Sequence, residues 1–279
     1  MMKLKSISIL ILLCSAVLGL RAQQIETISV HSDVMNCDIP NIVILPADYD
    51  STSVSYPVLY LLHGYNNDHN AWLRIQPALP ELATRYGMII VCPEGKSSWY
   101  WDSPVNPELK YETYITQELI KDIDTRYNTS DNKCGRAITG FSMGGHGGLW
   151  LAIRHQDLFG ACGATSGGVD IRPFPDNWEM KRSLGEYQDN SKSWDEHTVI
   201  NNLPLIKPQL AIIFDCGTDD FFYQVNERLH EEMLYRHIKH DYITRPGGHD
   251  DAYWNNSINY QILFFANYFA ATNKAHQNG

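Results

Sequence analysis

Arg136-Ala137-Ile138-Thr139-Gly140-Phe141-Ser142-Met143-Gly144-Gly145-His146-Gly147-Gly148-Leu149-Trp150 is the stretch on which the reading of the whole chain turns. Arg136–Thr139 is a short β-prone run. Gly140–Gly144 then fits G-x-S-x-G, and more glycines follow before a helix-like pattern through Leu149, Trp150 and Ile153. The motif alone is weak, because three fixed positions in five arise often by chance. Its setting of strand, sharp turn and helix is what gives it weight. A serine on such a turn is held exposed by a strained backbone, and only small neighbours let the helix pack close behind it. The N–H groups at the helix start point their positive dipole end at the hydroxyl. A glycine-rich turn with an incidental serine is the competing reading, and it leaves the flanking strand and helix as coincidence.

Working outward, apolar runs of strand length bounded by turn residues recur at Asn41–Leu45, Pro57–Leu62, Met88–Cys92, Ala137–Phe141, Gly160–Thr165 and Leu210–Cys216. Helical stripes lie between and after them. Ile115, Leu119, Ile123 and Tyr127 recur every four residues, as do Val225, Leu229 and Met233, and Ile258, Ile262, Ala266 and Ala270. Strands alternating with helices predict an α/β fold with a mostly parallel, buried sheet. Val169–Pro208 is more polar and less periodic, and reads as a short insertion over the carboxyl edge of that sheet rather than a large lid.

A serine nucleophile needs a base, and the base needs an acid to set its tautomer. The apolar run Leu210–Cys216 leads directly into Gly217-Thr218-Asp219-Asp220, which sets a carboxylate just past a strand's carboxyl end. Another β-prone run, Tyr242–Arg245, ends in Pro246-Gly247-Gly248-His249. These residues supply acid and imidazole in chain order after the serine. The residues themselves do not choose between Asp219 and Asp220. His155, His230, His237 and His240 fall on polar helical stretches and read as solvated, and His146 lies near the serine but on its helix. The developing oxyanion needs two donors. One is the backbone N–H of Met143. The other is expected from the loop after Val58–Leu62, where His63-Gly64-Tyr65 lets the chain turn back, at the N–H of Tyr65; His63 serves to hold that loop.

These residues carry a resemblance. Leu59–Gly64, Gly95–Tyr100, the helix at Glu112–Ile123, Gly140–Gly145, Cys216–Asp220 and Gly247–His249 together look like the esterase family of α/β hydrolases, which includes esterase D, feruloyl and acetylxylan esterases (carbohydrate esterase family 1), tributyrin-type esterases and mycolyltransferases. The resemblance covers most of the chain after its first residues, and implies the α/β-hydrolase fold. It implies Ser142, Asp220 and His249 as catalytic residues, because the family's acid stands three positions after the glycine, and it matches the oxyanion donors to Tyr65 and Met143. It implies no cofactor. Many relatives carry an aromatic residue two positions after the histidine, whereas Asp251 stands here, followed by Tyr253 and Trp254. The subsite beside the histidine is therefore expected to differ.

Trp99, Tyr100 and Trp101 form a ring cluster in a loop at the same sheet edge, suited either to stacking on a sugar or an aromatic acyl group or to ordinary packing. Trp99, Tyr100 and Trp254 are the expected substrate-binding residues. Trp178 and Trp194 in the insertion either line the cleft or pin the insertion down. The expected substrate is an acylated carbohydrate or other small ester, with acetyl or feruloyl as the acyl group. Acyl transfer to a sugar acceptor, or carbohydrate binding without catalysis on a hydrolase scaffold, are the competing readings.

The chain has 279 residues, 22 basic and 32 acidic, for a net charge of −10, so a general nucleic-acid partner is not expected. Lys3 and Lys5 followed by the apolar run Ile7–Leu20 read as a cleavable signal peptide over residues 1–22, too short for a comfortable membrane span. This predicts a secreted or periplasmic protein whose residues 23–279 form one domain, with no stable membrane insertion. Without Lys3, Lys5 and Arg21 the basic count is 19 against 32 acids, a charge of −13. Five widely spaced cysteines then remain and read as buried free thiols. No CxxC or HExxH pattern suggests a metal.

Overall fold

The computed structural model of the chain describes residues 24–277 apart from 53. The expected signal segment, residues 1–22, lies outside the described residues. Eight strands, β1 Gln24–Ser32, β2 Cys37–Leu45, β3 Val58–Leu62, β4 Ile89–Pro93, β5 Arg136–Gly140, β6 Ala161–Thr165, β7 Ala211–Gly217 and β8 Asp241–Arg245, form one sheet in the order β1-β2-β4-β3-β5-β6-β7-β8. The pairs β1/β2 and β2/β4 are antiparallel, and the remaining pairs are parallel. Helices cover both faces, giving an α/β-hydrolase fold.

Parallel strands buried on two faces need apolar residues at nearly every position, because alternate side chains enter different cores. β3 shows this: Val58, Tyr60 and Leu62 enter one core and Leu59 and Leu61 the other. The first core is closed by the helix Met143–Arg154, the helix Tyr223–Tyr235 and a helical stretch made of Tyr111–Thr113, the π-helical turn Tyr114–Leu119 and Ile120–Arg126. The second is closed by Ala71–Ile75, Leu79–Tyr86 and the C-terminal helix Asp251–Gln277. The stripe Ile115, Leu119, Ile123 is fully buried, as the spacing predicts. On the C-terminal helix the stripe departs from a strict period of four. Ile258 and Ile262 are buried, but Phe265 and Phe269 continue the line while Ala270 is exposed. At 3.6 residues per turn an unbroken four-residue spacing drifts off the contact face, and one step of three brings it back.

No apolar run in the sequence marks the strand over Gln24–Ser32. β1 is an edge strand, hairpin-paired with β2, and only Val30 and Ser32 in it are buried, so it lacks the apolar density that marks the other strands. Residues 169–208 connect β6 to β7 and carry the helices Met180–Leu184 and Tyr187–Glu196 and the 3₁₀ turns of Val199–Leu205. Among the described residues, Cys37, Cys92, Cys134, Cys162 and Cys216 are free thiols; Cys92, Cys162 and Cys216 are buried and the other two partly exposed. No helix among the described residues is long and apolar enough to cross a membrane.

Candidate active site

The carboxyl ends of β3, β5, β7 and β8 converge on one edge of the sheet. Ser142 follows β5 and caps the helix Met143–Arg154. Of residues 135–153, Ser142 is the single one that is not buried. Its backbone lies at φ 57°, ψ −119°, a region that side chains other than glycine seldom occupy, and strain of this sort costs about 1–3 kcal/mol. The surrounding contacts hold it there. A Cβ at Gly144 would collide with the carbonyls of Leu62 and His63, and one at Gly148 with the carbonyl of Gly163, so the helix start is seated directly on the strand ends.

His249 and Asp220 meet the serine. The Asp220 carboxylate is fully buried, accepts the Phe222 N–H at 2.8 Å through Oδ1 and accepts from His249 Nδ1 at 2.8 Å through Oδ2. A carboxylate only accepts, so Nδ1 carries the proton and Nε2 is left to accept from Ser142 Oγ at 2.9 Å. Asp219 is exposed, and its backbone N–H bonds the carbonyl of Gly247, a contact that stitches the β7 turn to the turn carrying the histidine. The geometry thus separates two residues that their own chemistry left equivalent, in favour of the Asp220 that the resemblance implies. His249 lies between aromatic rings, with Phe221 at 4.2 Å between ring centroids and Trp254 at 5.0 Å, nearly perpendicular. Such an arrangement can withdraw a proton from the hydroxyl and stabilise the imidazolium that results.

Met143 opens its helix, so its N–H has no intrahelical acceptor. The loop after β3 presses on the same turn, since a Cβ at Gly64 would run into the Phe141 ring. That loop is tied from behind by His63, whose Nδ1 donates to the Gly64 carbonyl and whose Nε2 accepts the Gly95 N–H, both at 2.8 Å. His63 therefore holds the loop, as expected of it. Glu94 adds a second tie, reaching His63 at 3.3 Å and His69 at 3.0 Å. Burial by itself would raise the Glu94 carboxyl, but the nearby His63 ring, the His69 Nδ1–H and the Lys96 N–H hold it down at about 2.

The expected ring platform is placed differently from the sequence reading. Trp99, Tyr100 and Trp101 are all buried, not on a surface loop. The Tyr100 hydroxyl donates to the carbonyl of His63 at 3.0 Å, and Trp99 and Trp101 stack on each other behind the serine turn. The Trp101 indole N–H donates to His146 Nε2 at 2.8 Å, while His146 Nδ1 donates to the Gly168 carbonyl. Full burial pushes this imidazole down to about 3, so His146 is a neutral staple between loop and helix. Trp254 is also buried, stacked at 4.3 Å on Phe141, so it backs His249 rather than presenting a face to solvent. The physical reason is shared: glycine-lined turns leave voids at the sheet edge, and large rings fill them. His230 and His240, read as solvated, bond each other at 2.8 Å over Phe214 and Tyr242, and His155 bonds Glu112.

Trp194 is fully buried and bonds the Gly185 carbonyl, pinning the insertion. Trp178, by contrast, stacks on Phe221 beside His249. Phe221, which sequence reasoning passed over, is half exposed at the rim. Its signal was its position directly after Asp220.

The family model described as "Putative esterase" matches residues 32–265. The chain belongs to this esterase family. An esterase of Mycobacterium tuberculosis (strain CDC 1551 / Oshkosh) is 32% identical over 133 residues, which is 47% of this chain and 29% of that protein, so the chain spans well under half of that relative's length. An acetyl esterase of Caldicellulosiruptor saccharolyticus is 26% identical over 254 residues, 84% of this chain and 95% of the relative. Among solved structures, a ferulic acid esterase superposes with a TM-score of 0.76 at 27% identity, over 88% of this chain and 98% of that one. This esterase-family chain thus shares its fold with ester hydrolases along nearly its described length.

Proposed function

We propose that this esterase-family chain is a serine carboxylic-ester hydrolase that removes acetyl or feruloyl groups from carbohydrate esters outside the cytoplasm. The observation that carries the reading is the unbroken hydrogen-bonded line from Ser142 Oγ through His249 to the buried Asp220 carboxylate. Ser142 Oγ attacks the ester carbonyl while His249 Nε2 takes its proton. The tetrahedral oxyanion is met by the N–H groups of Met143 and Tyr65. His249 then hands the proton to the departing alkoxide, leaving an acyl-serine. Water repeats the sequence: it loses a proton to His249, adds to the acyl carbon and releases the acid and free Ser142. Asp220 keeps the proton on Nδ1 and offsets the imidazolium charge in both halves. The secreted location follows from the residue 1–22 reading, and the acyl range from the acetyl and ferulic acid esterases that the chain resembles. Purified wild type is expected to hydrolyse acetate and ferulate esters and to be labelled by a fluorophosphonate, and Ser142→Ala to lose both. Retention of hydrolysis by Ser142→Ala sinks the proposal.

A further inference from the structure

The rings beside His249 have no part in proton transfer, yet their position says which half of an ester they face. The leaving oxygen must come within hydrogen-bond reach of His249 Nε2 to be protonated, so whatever is attached to it extends past the imidazole. The acyl group stays on Ser142 and lies elsewhere. Phe221 is the ring against that imidazole, 4.2 Å away and half exposed. Trp178 stacks on Phe221 at 5.6 Å with 22° between planes. Phe174, Phe222 and Trp99 brace Trp178 from within, at 5.4, 5.1 and 6.1 Å. The result is an exposed apolar ring on a rigid base.

The next residue changes the chemistry of the rim. Trp178 and Glu179 are consecutive and both have positive φ, 51° and 53°, so the surrounding contacts hold this strap in a conformation that neither side chain prefers. Burial, and then the exposed Glu179 carboxylate nearby, push the Tyr65 hydroxyl up, which places the strap beside the loop after β3. Beyond Glu179 lies a cavity of about 390 Å³ lined by Lys96, Asn106, Glu108 and Arg182 and also by the apolar side chains of Met35 and Leu109. Donors and acceptors of both charges line it, while the neighbouring platform is apolar. A carbohydrate matches both, with a C–H face for the rings and hydroxyls for the polar wall.

We infer that Phe221 and Trp178 seat the leaving alcohol, and that this alcohol is a sugar ring, with the polar cavity beyond Glu179 taking neighbouring sugar units. The inference rests on the ester-hydrolase reading above. It is tested with two ester pairs on wild type, Phe221→Ala and Trp178→Ala. One pair shares the acetyl group and differs in alcohol, ethyl acetate against an acetylated xylo-oligosaccharide. The other shares methanol and differs in acyl group, methyl acetate against methyl ferulate. In each variant the kcat/KM ratio of sugar ester to ethyl acetate is expected to fall about tenfold, the size of losing one stacked ring face, and to do so through KM. The ferulate-to-acetate ratio is expected to hold, and Phe221→Tyr to restore the sugar preference. A fall in the ferulate-to-acetate ratio instead assigns the rings to the acyl side and overturns the inference. An equal fall on all four esters overturns it too, because the rings then only support His249. Wild type that cleaves ethyl acetate with no preference for the sugar ester defeats this inference and the carbohydrate part of the proposed function but leaves ester hydrolysis at Ser142 standing, whereas wild type that cleaves none of the four removes all of it.

Discussion

Asp219 and Asp220 are adjacent, equally acidic and placed on the same turn, and nothing in their chemistry distinguishes them before the fold does. The fold buries one completely against His249 and leaves the other in solvent. Asp220→Asn is therefore expected to lower kcat by about 10³–10⁴, because an amide can pair with the wrong imidazole tautomer. Asp219→Asn is expected to stay within about threefold, since its stitch to Gly247 uses the backbone, not the side chain. A comparable loss in both, measured on one ester, contradicts the assignment. Ser142 offers a second test at this scale. Its positive φ strains serine and alanine alike but suits glycine, which gives back part of the gain through a freer unfolded chain. Ser142→Gly should be inactive yet more stable than Ser142→Ala by about 1 kcal/mol in urea unfolding. Equal stabilities would mean that the turn carries no strain.

At the scale of elements, legibility followed burial. Strands that enter two cores advertise themselves as continuous apolar runs, so β3 to β7 were readable to within a residue or two. The edge strand β1 has no such run, because one side of it faces water. The positions of Ser142, the Asp219–Asp220 pair and His249 were readable because each follows a strand end. The ring residues were not, because a run such as Ser98-Trp99-Tyr100-Trp101 reads the same whether it lies on a loop's surface or under it. His146 shows the outcome: its neighbours make it a neutral tie between the serine helix, Trp101 and Gly168. Because burial depresses the folded imidazole to about 3 against 6.5 unfolded, only the unfolded chain takes the proton between those values. Stability must then fall as pH drops from 6.5 toward 3, by at most about 1.4 kcal/mol per pH unit from this group. His146→Gln keeps a donor and an acceptor but does not titrate, so its unfolding free energy should lose less between pH 6 and 4. Identical slopes for the two proteins would show that His146 is protonated while folded.

For the whole molecule, two carboxylates join distant parts of the chain, one at the sheet edge that bears Ser142 and one at the far end of the serine helix, and both are sensitive to acid. Glu94 joins the end of β4 to the loop bearing His63, Tyr65 and His69. Glu112 joins the helical stretch that begins at Tyr111 to Arg154 and His155 at the far end of the serine helix. Burial alone would raise both carboxyls, yet the imidazoles and the Lys96 N–H lower Glu94, to about 2, and His155 and Arg154 lower Glu112. A carboxyl whose folded value is depressed contributes stability above its unfolded value, and loses it as pH falls through the folded one. For Glu94 the window runs from 4.5 to about 2, and the shift corresponds to about 3 kcal/mol. This lies below most of the His146 window, so acid should weaken the chain in two stages, with the imidazole first and the carboxylates after. Glu94→Gln cannot lose a charge it does not have. Its stability should start about 3 kcal/mol lower at pH 7 and converge on the wild type near pH 2. The measurement is urea unfolding at steps from pH 7 to 2, followed by a ring probe such as Trp fluorescence. Curves that stay parallel through pH 3 would detach Glu94 from the acid response. Its imidazole contacts would then be packing rather than charge, and the loop after β3 would owe its position to the His63 bonds, the Tyr100 hydroxyl and the packing of Gly64 on Phe141.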